Sequence, residues 1–239
     1  MDLPGAFLHA DNDTFVVMKM TGKLAELMVK TAPDIYRKYV IEDSSGKPIL
    51  YVQLQKALYG MLKSALLFYR KLVSDLTHMG FTLNPYDPCV ANKTVNGHQL
   101  TVSWHVDDLT ISCVDRAPIQ DVIKALKAIY GENLKETIGL VHDYLGMTFD
   151  YSTPGQVEIS MDKYIAKIID SFPEQITGVS ATPATDNLFR IRDDDRPLPE
   201  DQAIMFHHVT AQLLFASTRV RRDIQTTVAF LSTRVKNPG

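Results

Sequence analysis

HQLTVSWHVDDLTIS, residues 98–112, decides the fold of this chain: His98–His105 and Leu109–Val114 are runs of β-formers, and two carboxylates, Asp107 and Asp108, lie between them. Upstream, Asn96-Gly97 is a strong hairpin signal, and Cys89–Lys93 reads as the strand that precedes it. Neighbouring side chains on a strand point to opposite faces. Asp107 and Asp108 can therefore serve one site only where the backbone turns, and the pair sits where a turn is predicted. An Asp-Asp between strands is on its own more often a solvated turn than a metal site.

Working outward, Lys63–Met79 carries Leu66, Tyr69, Val73 and Leu76 at three- and four-residue steps and ends at Gly80, which predicts a helix with that stripe inward. Asn84-Pro85-Tyr86-Asp87-Pro88 is bracketed by prolines and cannot be regular. Pro118–Tyr130 predicts an amphipathic helix with Val122, Ile123, Leu126 and Ile129 inward, stopped by Gly131. Thr14–Met20 and Ile49–Leu54 read as strands, with Lys23–Lys30 helical and Asp43–Pro48 a loop between them. Towards the C-terminus, a second hairpin (144–151 with 156–160), a helix (161–172), a Pro- and Asp-rich connection (173–200) and two helices (202–217 and 222–235) are expected. The sum is an α+β fold in which antiparallel hairpins alternate with helices and an all-helical end closes the chain. Gly-rich phosphate loops of the dinucleotide or kinase kind are absent from the sequence.

The 239 residues can bury one substantial core plus an appended subdomain, and 45% hydrophobic with 22% charged residues excludes general disorder. No apolar run approaches the roughly 20 residues of a membrane span, and no signal pattern opens the chain, so a cytoplasmic or nuclear setting is expected, not a secreted or membrane one. Cys89 and Cys113 read as reduced, mainly apolar residues. The net charge of −3 runs against a dedicated nucleic-acid binder. The basic residues are nonetheless clustered: Lys56, Lys63, Arg70 and Lys71 surround one glycine turn, and Arg219, Arg221, Arg222, Arg234 and Lys236 crowd the C-terminal part. The run Asp193-Asp194-Asp195 reads as a solvated loop.

Several segments, read in order, carry a family resemblance. Met1-Asp2-Leu3-Pro4-Gly5-Ala6-Phe7-Leu8 resembles the first catalytic motif of copia-type retrotransposon reverse transcriptases. Gln55-Lys56-Ala57-Leu58-Tyr59-Gly60 resembles their basic-Leu-Tyr-Gly segment, and His105-Val106-Asp107-Asp108 their Tyr-Val-Asp-Asp hairpin. Asn84–Val90, Tyr144-Leu145-Gly146-Met147, Lys163-Tyr164-Ile165 and Thr218–Gly239 follow the family in order and spacing. Three positions depart from it: His105 replaces the usual tyrosine, Ala65 a proline and Leu66 a basic residue.

The resemblance implies an RNA-directed DNA polymerase, a nucleotidyltransferase that uses two magnesium ions (manganese as substitute). Its partners would be an RNA or DNA template with primer, deoxynucleoside triphosphates and the rest of a polyprotein: fingers before Asp2, then ribonuclease H and integrase. It implies a polymerase palm with an antiparallel sheet and packed helices over residues 1–150. A hairpin with a helical thumb or connection would fill 151–239, and virus-like particles become one cytoplasmic setting. Asp2 and Asp107 would ligate both metals, Asp108 would add a carboxylate and Leu3 a carbonyl. Phe7 would exclude a 2′-hydroxyl, its alternative being a core aromatic beside Ala6 and Leu8. Tyr59 and Gly60 would line the nucleotide pocket. Two further readings are a catalytically inactive retroelement remnant with weak or no nucleic-acid binding, and a metal-dependent nuclease, for which no His, Glu or Lys is spaced as a water-activating base.

Overall fold

The strands and helices follow from alternation and turn chemistry more than from length. The computed structural model describes residues 1–191 and 196–238; the Asp193-Asp194-Asp195 run lies outside them. Two compact units divide the chain, Met1–Thr137 and Ile138–Gly239.

The first unit opens with a short 3-10 turn, Ala6–His9, and then strand β1 (Val17–Thr21), helix α1 (Lys23–Thr31) and the single turn α2 (Pro33–Tyr36). Strands β2 (Ile41–Glu42) and β3 (Pro48–Gln53) follow, and β1-β3-β2 make an antiparallel sheet. Helix α3 spans Ser64–His78, and Gly80 beyond it has a φ of 85°, the left-handed conformation that ends a helix without a side-chain penalty. Strands β4 (Thr82–Leu83), β5 (Val90–Val95), β6 (His98–His105) and β7 (Asp108–Ser112) form a four-stranded antiparallel meander, and helix α4 (Arg116–Tyr130) follows. Asn96 and Gly97 both have positive φ, as the two-residue hairpin requires.

The meander has one apolar and one polar face. Leu100, Val102 and Trp104 of β6 are buried with Ala91 and Leu109, and they form one core with α3 and α4. The opposite face carries Asn92, Thr101, Ser103 and Thr110, joined by side-chain hydrogen bonds. This is the α+β arrangement expected, with antiparallel sheets throughout.

Two expected helix stripes are corrected. In α3 the inward residues are Leu67, Phe68, Leu72 and Leu76, whereas Leu66 is exposed and Tyr69 and Val73 pack at the edge of the core. The helix is apolar on more than one side, so two series of three- and four-residue steps coexist and periodicity alone selects neither. In α4, Ile129 is exposed and Tyr130 takes its place inside. The phenol of Tyr130 donates to Asp75 of α3, and Lys71 donates to the same carboxylate oxygen, so a polar clasp fixes the two helices. Burial and the Asp75 carboxylate together push the Tyr130 phenol far above its usual titration range.

In the second unit β8 (Val141–Tyr144), β9 (Met147–Asp150) and β10 (Glu158–Ser160) form a sheet in the order β10-β9-β8. The unit therefore begins before the 150/151 boundary expected from the sequence. Leu145 and Gly146, both at positive φ, make the turn that pairs β8 with β9 and draws this hairpin into the later sheet. Helices α5 (Asp162–Ser171), α6 (Glu200–Arg219) and α7 (Gln225–Arg234) complete it, and the described residues of 172–199 hold neither helix nor strand. Ile168, Ala216, Ser217 and Val228 are buried, Tyr164 packs on Phe215, and the Leu198 amide donates to the Pro238 carbonyl. Among the described residues no helix is long and apolar enough to cross a membrane.

Candidate active site

The β6–β7 hairpin turns in two residues. His105 pairs with Asp108, so Val106 and Asp107 are the loop. Val106 has a φ of 57° and Asp107 no positive φ, the pattern of a type II′ turn with valine in the position that favours glycine. Trp104 and Leu109, the next pair, are both buried, so the hairpin is anchored one step behind its tip.

The segment Met1–Leu3 lies antiparallel beside this tip. Asp2 forms a bridge with Asp108. The Met1 nitrogen donates to the Leu109 carbonyl at 2.7 Å, the Leu109 amide returns to Met1 at 2.8 Å, and the Leu3 amide donates to the Asp107 carbonyl at 3.0 Å. On its other edge Asp2 exchanges backbone bonds with Lys135 at 2.8 and 3.2 Å. Residues directly opposite on antiparallel strands share a face, with Cβ atoms about 4.5–5.5 Å apart. Asp2 and Asp108 are therefore side by side, and Asp107 occupies the adjoining turn. The Leu3 side chain is wholly buried, which leaves its backbone alone for any ligand.

Electrostatics report the same proximity. The Asp108 carboxyl is raised above its usual range, first by burial and then by the charges of Asp107 and Asp2; the Met1 ammonium and, less so, His105 oppose the shift. The Tyr59 phenol is raised by burial and then by Asp107 and Asp2, which brings the basic-Leu-Tyr-Gly segment into the same field. The Phe7 and Tyr59 rings lie 4.5 Å apart, and Phe7 meets Phe68 of the core on another side. Phe7 therefore packs against the core and against the Tyr59 ring. Gly60 has a φ of 95° with nothing within 4 Å of where a Cβ would stand, so open space lies beside Tyr59. Of the departures from the family pattern, Ala65 sits in the first turn of α3 and Leu66 is exposed beside it.

The donor set suits a hard divalent cation: three carboxylates with a nearby backbone carbonyl, no thiol and no imidazole among the ligands. Mutual repulsion at Asp108 is what such a cation would relieve. Among the described residues, however, no three His, Cys, Asp or Glu side chains are gathered closely enough to hold an ion as they stand. The carboxylates are neighbours through the backbone ladder and through charge. A hollow of about 530 Å³ lies elsewhere, between α1, α2 and β3, lined by Val29, Lys30, Pro33 and Arg37. None of the carboxylates named above lines it.

Two residues that sequence reasoning does not single out bear on this neighbourhood. Asn12 donates through Nδ2 to the Leu54 and Lys56 carbonyls, and the buried Ser64 hydroxyl donates to the Leu58 carbonyl. Neither belongs to a recognisable motif, and both act on backbone atoms, so side-chain patterns carry no signal for them.

The chain matches the family model described as reverse transcriptase (RNA-dependent DNA polymerase) over residues 1–185. It is 23% identical over 245 residues to a retrovirus-related Pol polyprotein from transposon TNT 1-94 of Nicotiana tabacum, a match covering 100% of this chain and 17% of that protein. It is also 23% identical over 186 residues to a protein of transposon Ty5-1 from Saccharomyces cerevisiae, covering 78% of this chain and 59% of that one. The chain thus spans less than two thirds of the length of either relative. No solved structure matches. With the Asp-Asp hairpin, the leading aspartate and the Tyr-Gly segment in one neighbourhood and the family model matched over most of its length, the chain belongs to the reverse transcriptase (RNA-dependent DNA polymerase) family, as a copia-type retrotransposon member.

Proposed function

We propose that this chain carries the catalytic carboxylates of an RNA-directed DNA polymerase, which adds deoxynucleotides to a primer 3′ end on an RNA or DNA template. One observation carries the reading: the antiparallel bridge that sets Asp2 beside the Asp107–Asp108 turn. Two magnesium ions, or manganese in their place, would supply charge neutralisation at the phosphoryl oxygens and in-line alignment of the attacking and leaving oxygens. Asp2 and Asp107 would hold those ions, with Asp108 and the Leu3 carbonyl as further oxygen donors. Phe7 would stand under the incoming sugar and exclude a 2′-hydroxyl by bulk, with Tyr59 and Gly60 lining the rest of the pocket. In this reading the four-stranded sheet with α3 and α4 is the palm, and the helices of the second unit serve as thumb or connection. The partners are primer–template, deoxynucleoside triphosphates and the remaining polyprotein segments, in the cytoplasm, within virus-like particles, or in the nucleus.

The test is magnesium-dependent primer extension by the chain in its polyprotein context. Asp107→Asn is expected to lower kcat by at least about a hundredfold, the scale of losing one preorganised charge contact at the transition state. Undiminished extension by that variant would sink the assignment.

A catalytically inactive remnant is the second reading, favoured by the ungathered carboxylates, by Ala65 and Leu66 and by the net charge of −3. Phosphate-driven binding weakens steeply with salt. A folded protein that shows no salt-dependent binding to primer–template would be such a remnant.

A further inference from the structure

We propose that Asn12 and Ser64 are positioning residues for the Tyr59-bearing segment, Asn12 holding it in register with the Phe7-bearing one and Ser64 fastening it to the start of α3, a role that rests on the polymerase reading above. The segment from Leu54 to Leu58 is neither helix nor a regular strand, yet the Leu54, Gln55, Lys56 and Leu58 carbonyls all accept hydrogen bonds from outside it. Asn12 Nδ2 donates to the Leu54 carbonyl at 2.7 Å and to the Lys56 carbonyl at 2.9 Å, while the Asn12 amide donates to the Gln55 carbonyl between them at 3.0 Å. Ser64 Oγ donates to the Leu58 carbonyl at 2.6 Å, immediately before Tyr59. The Ala57 amide closes the ladder by donating to the Ala10 carbonyl at 2.9 Å. Asn12 and Ala10 belong to the run that continues from Phe7, so these bonds tie the two segments whose rings meet at 4.5 Å.

The donor set is specific. Two carbonyls require a group with two hydrogens in one plane, which a carboxamide supplies and a carboxylate of the same shape does not. The nearby pair Lys56–Asp11 is exposed and contributes little to the register.

The experiment measures deoxynucleotide KM and kcat in primer extension, together with amide hydrogen exchange over residues 54–60. Asn12→Asp is expected to raise KM about tenfold with kcat nearly unchanged, and to speed exchange at the Ala57 amide. Ser64→Ala, a smaller change that keeps the test decisive should Asn12→Asp not fold, is expected to raise KM about threefold. Asp11→Asn, which removes only the exposed ion pair, is expected to move neither quantity. A merely structural role would lower the active fraction and hence the apparent kcat at constant KM, and that result overturns the proposal, as does faster exchange at Ala57 with KM unmoved. If the wild-type protein neither binds nor incorporates deoxynucleotides, the polymerase reading itself fails, before any variant is compared.

Discussion

Leu3→Ala should release Asp2 from the site without unfolding the chain. Leu3 is fully buried, and burying such a side chain contributes about 3 kcal/mol. The backbone bonds between Met1–Leu3 and Leu109, Asp107 and Lys135 number five and contribute about 1 kcal/mol each. Against this, fixing three residues costs about 1.5 kcal/mol each, with roughly 1 kcal/mol more for the leucine rotamers. The segment is thus held by about 2–3 kcal/mol, and removing the leucine side chain cancels roughly all of it. Asp2 would then be present in the sequence but no longer fixed opposite Asp108. Amide exchange resolves this, because the Leu109 and Lys135 amides donate to the Met1 and Asp2 carbonyls and should lose protection, while the Phe81 amide, bonded to Leu76 at the end of α3, keeps its own. If Leu109 and Lys135 stay protected in Leu3→Ala, the ladder alone holds Asp2 and the arithmetic is wrong.

Three further outcomes follow from the same contacts. Asp108 has a raised native pKa, so the folded chain binds its proton more tightly than the unfolded one. Without a divalent cation, the Asp108 contribution to stability should fall as pH rises from the ordinary carboxylate range through the Asp108 value; urea titrations at pH 4 and 7 would show Asp108→Asn gaining stability relative to the parent chain at the higher pH. Tyr130→Phe removes a hydrogen bond to the Asp75 carboxylate and should cost about 1.5–3 kcal/mol in the same titrations; a cost near zero would mean that Lys71 alone satisfies Asp75. Gly60→Ala meets no atom but forces an L-residue to a φ of 95°, for about 1–2 kcal/mol. A deoxynucleotide KM that is unchanged in that variant would show that Gly60 is needed for backbone shape and not for space.

How much of this was legible in the sequence depends on whether the determining groups are side chains. The hairpin at Asn96-Gly97, the helix ended by Gly80 and the proline-bracketed loop before Cys89 were all readable, because turn residues announce backbone shape directly. The inward stripe of α3 was not. Leu66, Leu67, Phe68, Tyr69, Leu72 and Val73 offer two apolar faces, and only the core they share with the rest of the first unit chooses between them. The hairpin at Leu145-Gly146 also escaped, since leucine in a left-handed conformation is not a turn signal even though glycine beside it completes one. Of the site, Asp107 and Asp108 were legible from their strands. Asp2 was legible only by resemblance, because its placement depends on backbone bonds to residues 107–109 and 135 that no local pattern encodes.

Val106 shows why the site needs the fold around it. A β-branched residue at a φ of 57° is strained by about 1–2 kcal/mol relative to the ordinary regions, and a glycine would remove that cost. A longer loop would also remove it, but would loosen the turn that sets Asp107 beside the Asp2–Asp108 bridge. The two-residue turn keeps both carboxylates within two residues of the buried Leu109, and the same Leu109 exchanges both backbone bonds with Met1. The strain at Val106 is therefore borne by the core that lies directly behind it. The same few residues place three carboxylates together, and Asp108 titrates above the usual carboxylate range, first because it is buried and then because Asp107 and Asp2 are near. A strained turn residue and a buried carboxyl beside two others, at one hairpin tip, are expected of a site shaped for something other than stability.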